Sequence, residues 1–177
     1  MPSHLPNLPY IETERLIIRP FTLDDIEAAY IMNLDAAVSK LTGDGGVVSR
    51  AETARRIKED VLGDYQKYGY GRLAVELKSE QKFIGFAGLK YLDDLDEVDL
   101  GYRFMKAYWG KGFATEAALA CLDFGFNTLS LQRIIAWVLP ANTASIHVLE
   151  KVGFHYEKEV EEDGLIARQF ALEKEAS

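Results

Sequence analysis

The chain has 177 residues, of which 48% are hydrophobic, and this length and composition fit one compact domain spanning residues 1–177. The 28 acidic residues outnumber the 20 basic ones, and the formal charge of −8 argues against nucleic-acid binding and favours cationic partners. The sequence has no apolar run long enough to span a membrane and no signal-peptide pattern at Met1–Pro9, so we expect a cytoplasmic protein that does not bind membranes.

Hydrophobic patterning predicts a series of strands and helices. Apolar, β-branched runs separated by turn residues indicate the strands, and capping residues such as Thr22 and Ser49 indicate where helices begin. The pair Asp163-Gly164 is typical of a hairpin turn. These signals predict an α/β fold in which one mixed sheet carries helices on both faces. In chain order the expected elements are a strand within 12–20 that contains the apolar run 16–18, helices (22–34 and 49–68), strands (73–77, 83–89 and 98–104), a helix (114–127), a strand (133–138), a helix (144–151) and two strands flanking 163–164.

A glycine-rich segment and the single cysteine each predict a local feature of the fold. Gly43, Gly45 and Gly46 predict a loop between the first two helices, and we expect that loop to form a wall of the substrate site. Cys121 is the only cysteine, so no internal disulfide can form. Because it lies within an Ala- and Leu-rich helical segment, we expect it to be a buried packing residue without a chemical role.

A glycine loop, Gly110-Lys111-Gly112, lies directly before the longest predicted helix of the second half. The N-terminus of a helix presents free backbone N–H groups and the positive end of the dipole, which favour an anion. Glycines let the backbone approach phosphate oxygens closely, although such a loop can also serve only as a strand-to-helix turn. The triphosphate-loop pattern is absent, and Thr115 breaks the dinucleotide fingerprint, so nucleoside triphosphates and NAD are both disfavoured.

Three blocks of the sequence together resemble the GNAT acetyltransferase superfamily. The loop W-G-K-G-F-A at 109–114 is similar to the [QR]-x-x-G-x-[GA] loop that binds the CoA pyrophosphate in that family, with Trp109 in place of Gln or Arg. The wording W-G-K-G-[FY]-A-T-E-A is typical of the Rim-type branch, which acetylates protein N-terminal amines. Residues 12–20 and 142–154 match the same branch, so the resemblance covers nearly the whole chain. Only residues 32–72, which would contact the acyl acceptor, carry no motif.

The resemblance implies a site for acetyl-CoA in a single-domain GNAT-like fold whose mostly antiparallel sheet splays apart between the fourth and fifth strands. The pantetheine arm would lie in that gap, and a backbone N–H of the 98–104 strand would stabilise the oxyanion. Asn142 would hydrogen-bond the pantetheine arm, or cap the short helix that follows it. Tyr102 and Phe104 are expected to pack in the core through their side chains. The expected cofactor-binding residues are Arg103, Phe104, Met105, Gly110, Lys111, Gly112, Phe113, Ala114, Thr115 and Asn142.

The sequence motifs that indicate catalytic groups are less specific than the motif of the cofactor loop. In many GNAT members a Tyr protonates the departing CoA thiolate, but Leu149 occupies that position here. Rim-type members have a Ser that matches Ser145, one helical turn earlier, so Ser145 is the candidate proton donor; alternatively it caps its own helix. Glu97 and Asp99, on one face of the strand that leads to the splay, are candidate general bases or simply solvated carboxylates. No cluster of residues has metal-ligand spacing, so we expect no metal.

The expected reaction is therefore acetyl transfer from acetyl-CoA to a primary amine. The acceptor is a protein N-terminal amine, or a small cationic amine such as an antibiotic or a polyamine. A non-catalytic CoA-binding module is the alternative. In that case Leu149, in place of the proton-donating Tyr, indicates that the catalytic activity was lost. A nicotinamide-dependent enzyme is disfavoured by Thr115 and by the antiparallel strands before the loop. The sequence leaves open whether the chain forms a homodimer.

Overall fold

One sheet organises the molecule, and its strands follow the order β1-β2-β3-β4-β5-β6-β8-β7. The structure is a computed structural model that describes residues 7–42 and 48–176, so the predicted glycine loop at 43–46 lies outside the described residues. Neighbouring strands are antiparallel except β5 and β6, which are parallel. The strands are β1 (Ile11–Glu12), β2 (Leu16–Pro20), β3 (Arg72–Leu77), β4 (Lys82–Leu92), β5 (Glu97–Phe104), β6 (Arg133–Val138), β7 (His155–Glu162) and β8 (Leu165–Glu173).

The helices begin at the residues that the capping signals predict. The Thr22 side chain accepts a hydrogen bond in a complete capping box, and Ser49 Oγ accepts from the N–H of Glu52 at 3.1 Å. Two helices continue into π-helical segments, at Arg56–Val61 and Phe124–Thr128. Among the described residues, no helix combines the length and the apolar character that a membrane span requires. The α-helices are α1 (Ile26–Leu34), α2 (Ala36–Ser39), α3 (Arg50–Arg55), α4 (Leu62–Tyr68), α5 (Phe113–Asp123) and α6 (Thr143–Lys151).

The first predicted strand is β2, and the structure adds a short strand, β1, before it. The N–H of Thr13 donates to the carbonyl of Leu16 at 2.9 Å, and this turn folds β1 back onto β2. The apolar run 16–18 that predicted the first strand lies within β2, and β1 is an additional strand, because the polar residues Thr13 and Glu14 form a turn ahead of that run. The fourth and fifth predicted strands consequently become β5 and β6.

Helices cover both faces of the sheet, as the sequence predicts. Leu73 and Val75 of β3 pack in the same buried cluster as Ala117 and Cys121 of α5. Ala74, between them, packs on the opposite face with Ala29 of α1 and the Ile57 side chain. This alternation is the period of two that a strand buried on both faces requires.

The sheet opens between β5 and β6. These strands pair at Asp99 and Ile135, whereas β5 pairs with β4 along its whole length and β6 pairs with β8 along its whole length. Beyond Asp99 the two strands separate, which confirms the predicted splay. The gap lies between residues 100–104 of β5 and residues 136–138 of β6.

Candidate active site

Two cavities meet at the gap between β5 and β6. One, of about 490 Å³, is bounded by the glycine loop and α6, and we call it the loop cavity. The other, of about 330 Å³, is bounded by the tip of the β7–β8 hairpin, and we call it the hairpin cavity. The two cavities therefore adjoin at the opening in the sheet. The residues that line both cavities are Leu41, Thr42, Tyr102, Arg103, Asn142 and Ser145.

The glycine loop leaves the start of α5 open to the loop cavity. Gly110 and Gly112 have φ angles of 74° and 83°, a left-handed conformation that glycine adopts without strain. Gly112 is the N-cap and offers no side chain, and the first helical bond runs from the Glu116 N–H to the Gly112 carbonyl at 3.1 Å. The N–H groups of residues 113–115 precede that bond, and these three residues line the cavity. This uncapped helix N-terminus is suited to bind an anion.

An ion pair between Arg15 and Glu116, neither of which lines the loop cavity, supports the glycine loop. Arg15 Nε lies 2.7 Å from Glu116 Oε1, and Arg15 Nη1 donates to the Lys111 carbonyl at 2.8 Å. The Thr13 hydroxyl donates to Glu116 Oε2 at 2.6 Å, and the guanidinium lies 4.3 Å from the Phe113 ring centroid. Burial opposes the charge on Glu116, but the hydrogen bonds from Thr13 and Arg15 outweigh it and lower its pKa. Sequence reasoning missed this contact, although its members lie in two of the three family-like blocks.

Most of the predicted cofactor-binding residues meet in the loop cavity. Lys111 and Met105 are the exceptions, since neither lines either cavity. The Lys111 ammonium lies 5.9 Å from the Tyr108 ring, and the Met105 N–H donates to the Ile84 carbonyl at 2.9 Å. The structure thus commits the Met105 N–H to the sheet instead of leaving it for pantetheine. The predicted residues that do line the loop cavity are Arg103, Phe104, Gly110, Gly112, Phe113, Ala114, Thr115 and Asn142.

The backbone of Phe104 faces the gap between β5 and β6. Because N–H and C=O groups alternate in direction along a strand, and Met105 bonds to β4, the Phe104 groups point toward the opposite side. The Phe104 carbonyl there accepts a hydrogen bond of 2.8 Å from the Trp109 indole. The Phe104 N–H is therefore the backbone donor best placed to stabilise an oxyanion in the gap.

Two hydroxyl groups lie at the junction of the cavities. The Tyr102 hydroxyl is 3.0 Å from Ser145 Oγ and also donates to the Ser145 carbonyl at 3.3 Å. Burial raises the pKa of Tyr102 to about 12, and the hydrogen bond with Ser145 only partly offsets this. Tyr102 packs against the core, as expected, but its hydroxyl also enters the site, which the sequence analysis did not anticipate. Leu149 is buried beside this pair and offers only hydrocarbon.

Asn142 caps α6, as one of its two predicted roles requires. Its Oδ1 accepts from the Ser145 N–H at 3.2 Å, and its Nδ2 donates to the Leu41 carbonyl at 3.5 Å. Ser145 is thus held by its backbone, and its hydroxyl is directed to Tyr102 instead of back to its own helix. The cap fixes the position of the serine at the junction.

The two predicted general bases lie outside both cavities. Glu97 Oε1 accepts from Arg133 Nε at 3.0 Å. Asp99 Oδ1 lies 2.9 Å from Arg72 Nη2, in an ion pair without hydrogen-bond geometry. Neither Glu97 nor Asp99 lines the space where an amine would approach the gap. The structure therefore gives both carboxylates ion-pair partners, and proton abstraction by either stays a prediction.

The hairpin cavity has an apolar floor and an acidic rim. Glu162 and Asp163, at the tip of the β7–β8 hairpin, line it and are exposed, and neither forms an ion pair with another described residue. Two arginines also line the cavity: Arg72 forms an ion pair with Asp99, and Arg103 donates to Asn33 Oδ1 at 2.7 Å. Trp137 lines the cavity and donates its indole N–H to Gln169 Oε1 at 2.8 Å. A cavity lined by carboxylates and an aromatic ring attracts a cationic group.

Neither a metal centre nor a reactive thiol is apparent in residues 7–42 and 48–176. No group of three or more His, Cys, Asp or Glu side chains there could hold a metal ion. Cys121 is buried in α5, and burial raises the pKa of its thiol to about 12, so it stays a neutral packing residue.

Comparison with protein families places this site in a known context. A family model described as an acetyltransferase (GNAT) domain matches residues 15–155. The N-acetyltransferase YnaD of Bacillus subtilis is 34% identical over 149 residues, which cover 84% of each chain. YkkB of the same organism is 39% identical over 95 residues, but the match spans only 55% of that protein. Spermidine N(1)-acetyltransferase of Escherichia coli is 26% identical and covers 86% of this chain and 80% of its own.

Solved structures share the whole architecture. A GNAT-family acetyltransferase from Bacillus anthracis superposes with a TM-score of 0.80 at 29% identity and covers 93% of this chain and 98% of its own. RimL, a ribosomal L7/L12 alpha-N-protein acetyltransferase solved with coenzyme A, superposes with a TM-score of 0.76 at 16% identity. It covers 93% of this chain and 98% of its own, and at that identity the likeness concerns the fold alone.

Proposed function

Because the chain belongs to the GNAT acetyltransferase family, we propose that it transfers the acetyl group of acetyl-CoA to a primary amine that approaches through the hairpin cavity. The observation that carries this proposal is that the two cavities share lining residues, Tyr102 and Ser145 among them, at the opening between β5 and β6. A donor bound on one side of the sheet and an acceptor on the other would meet there, which converts the transfer into a reaction between oriented groups.

The loop cavity fits the donor. The N–H groups of residues 113–115 would bind the pyrophosphate, and the left-handed glycines allow it to approach the backbone. The pantetheine arm would run along the β5 edge past Phe104 toward Tyr102 and Ser145. Its thioester would then lie at the junction of the cavities.

The reaction at that junction is attack of the amine nitrogen on the thioester carbonyl. The Phe104 N–H would stabilise the oxyanion, a contribution of about 3 kcal/mol for one such donor. The carbon–sulfur bond then breaks, and the sulfur leaves as a thiolate that requires a proton. The hydroxyls of Ser145, the donor that the sequence suggests, and of Tyr102 both lie at this point.

The acidic rim of the hairpin cavity supports a cationic acceptor. Glu162 and Asp163 would attract an ammonium group, and the apolar floor would accommodate the carbon chain that carries it. A small polyamine-like amine fits this description, and spermidine is the acceptor in the name of one relative. The loop wording at 109–114 supports the second acceptor, the N-terminal amine of a protein, because it is typical of the Rim-type branch.

The proposal is tested by incubating the protein and acetyl-CoA with a panel of small cationic amines and peptides with free N-termini. Release of CoA thiol together with an acetylated product by mass spectrometry is the expected result, with cationic amines favoured over neutral ones. Replacing Glu162 with Lys should raise KM for the cationic acceptor about tenfold while KM for acetyl-CoA is unchanged. Glu159→Lys, an exposed carboxylate of β7 outside both cavities, is the matched control.

Two outcomes contradict the proposal. Binding of acetyl-CoA without turnover on any acceptor would indicate a CoA-binding module. Equal effects of the Glu162 and Glu159 substitutions would show that the hairpin tip does not contact the acceptor.

A further inference from the structure

Tyr102 places a phenol hydroxyl at the point where the two cavities meet. It lies on β5 at the opening of the sheet and lines both cavities. Its oxygen is fixed by Ser145 Oγ at 3.0 Å and by the Ser145 carbonyl at 3.3 Å, so α6 holds it from across the gap. The remainder of its ring packs against the core. The hydroxyl is thus held at one position and faces the space that the thioester would occupy.

The other groups at the junction are poor sources of a proton. Leu149 has no polar atom, and the guanidinium of Arg103 does not release a proton in proteins. The Thr42 hydroxyl donates to the Ser39 carbonyl at 2.9 Å, and the Asn142 amide contacts the Leu41 carbonyl. The Ser145 hydroxyl is an aliphatic alcohol, which is a much weaker acid than a phenol. Tyr102 therefore carries the most acidic neutral hydroxyl at the place where a thiolate would form.

We propose that Tyr102 donates the proton taken up by the departing CoA thiolate, and that Ser145 holds the phenol in position. This inference rests on the acetyl transfer proposed above. As the carbon–sulfur bond breaks, its electron pair goes to sulfur, and sulfur takes the phenol proton. The acceptor attacks as the neutral amine, after its ammonium form has released one proton to solvent, and its nitrogen carries one excess proton after the attack. The phenolate recovers that proton through water, which leaves a neutral amide. Protons and charge balance over the cycle without any further reactant.

The surroundings of Tyr102 keep its hydroxyl protonated. Burial raises the pKa of its hydroxyl to about 12, so it is protonated at neutral pH. The charged and titratable side chains nearest to it are those that line the same two cavities. Arg103 lines both cavities. The others are Arg72, Glu162 and Asp163 on the hairpin side, and Tyr108, His147 and Lys151 on the loop side.

The test begins with Tyr102→Phe, which removes the hydroxyl and keeps the ring. We expect kcat to fall by about 10²-fold, the usual size of a general-acid contribution, while the affinity for acetyl-CoA measured by calorimetry is retained. Tyr70→Phe is the matched control, because burial also raises the pKa of Tyr70 to about 12 and it lines neither cavity. Ser145→Ala should cost less than Tyr102→Phe, and the double variant should be no slower than Tyr102→Phe alone.

A second variant keeps the hydroxyl and changes only its acidity. Difluorotyrosine at position 102 lowers the phenol pKa with little change in shape, so kcat should decline at alkaline pH where the wild type does not. A merely structural role would leave the pH profile unchanged, and that result would overturn the inference even if Tyr102→Phe failed to fold. If the wild type is active and Tyr102→Phe has the same kcat, the inference is overturned. If the wild type acetylates no amine, the proposed function itself is overturned.

Discussion

Trp109 occupies the first position of the glycine loop, where the general family pattern has Gln or Arg. Its indole N–H donates to the Phe104 carbonyl at 2.8 Å, and the residue is 38% exposed. The bond fixes the end of β5 beside the gap, and the Phe104 N–H is the proposed oxyanion donor. The departure from the pattern thus has a structural role that the sequence did not reveal, because the partner is a backbone atom.

We predict that Trp109→Phe lowers kcat/KM for acetyl-CoA about fivefold, since one hydrogen bond contributes roughly 1 kcal/mol. Steady-state kinetics with varied acetyl-CoA measures the effect. Trp137→Phe is the control: it removes the indole bond to Gln169 in the hairpin cavity and should alter KM for the amine instead. Identical effects of both variants on acetyl-CoA would contradict the assignment of one tryptophan to each substrate.

At the scale of elements, the turn between β1 and β2 is part of the cofactor loop. Arg15 and Glu116 connect that turn to the first turn of α5 across a sequence separation of 101 residues. Because Arg15 also donates to the Lys111 carbonyl at 2.8 Å, the loop is held by a residue that does not line the cavity. We infer that this contact orders the loop before the donor binds, which lowers the entropy lost on binding.

The lowered pKa of Glu116 predicts a pH-dependent stability. Its contribution is fully present above the unfolded value of about 4.5 and is lost as the pH falls through the lower folded value. The difference in free energy of unfolding between wild type and Glu116→Gln, from urea titrations, should therefore be larger at about pH 7 than at about pH 3. Glu150→Gln, an exposed residue of α6, is the control. Equal differences at both pH values would contradict the role of the charge.

For the whole molecule, the order and class of the elements follow from local signals. β6 begins and ends where it was predicted, at Arg133 and Val138, because a short β-branched run between turns is a local pattern. The junction of the cavities depends instead on contacts between distant residues, such as Tyr102 and Ser145, which are 43 positions apart. Periodicity places Tyr102 in the core, and nothing in it shows that the hydroxyl reaches α6 across the opened sheet.

The same distinction explains the two candidate bases. Glu97 and Asp99 share a strand face, as predicted, but the arginines that neutralise them come from β6 and β3. Strand periodicity gives the direction of a side chain and not the identity of its partner. The acceptor side is the least predictable part, because its acidic rim comes from a hairpin tip that the sequence marks only as a turn.

The most direct test of the cofactor site compares Gly110→Asp with Gly110→Asn by calorimetric titration of acetyl-CoA. Gly110 lines the loop cavity with a φ of 74°, and a Cβ there would meet no atom within 4 Å. Asp and Asn have the same shape and both tolerate this conformation, so the two variants differ only in charge. If the loop binds the pyrophosphate, the Asp variant should bind acetyl-CoA at least about tenfold more weakly than the Asn variant. Equal dissociation constants would show that the pyrophosphate lies elsewhere.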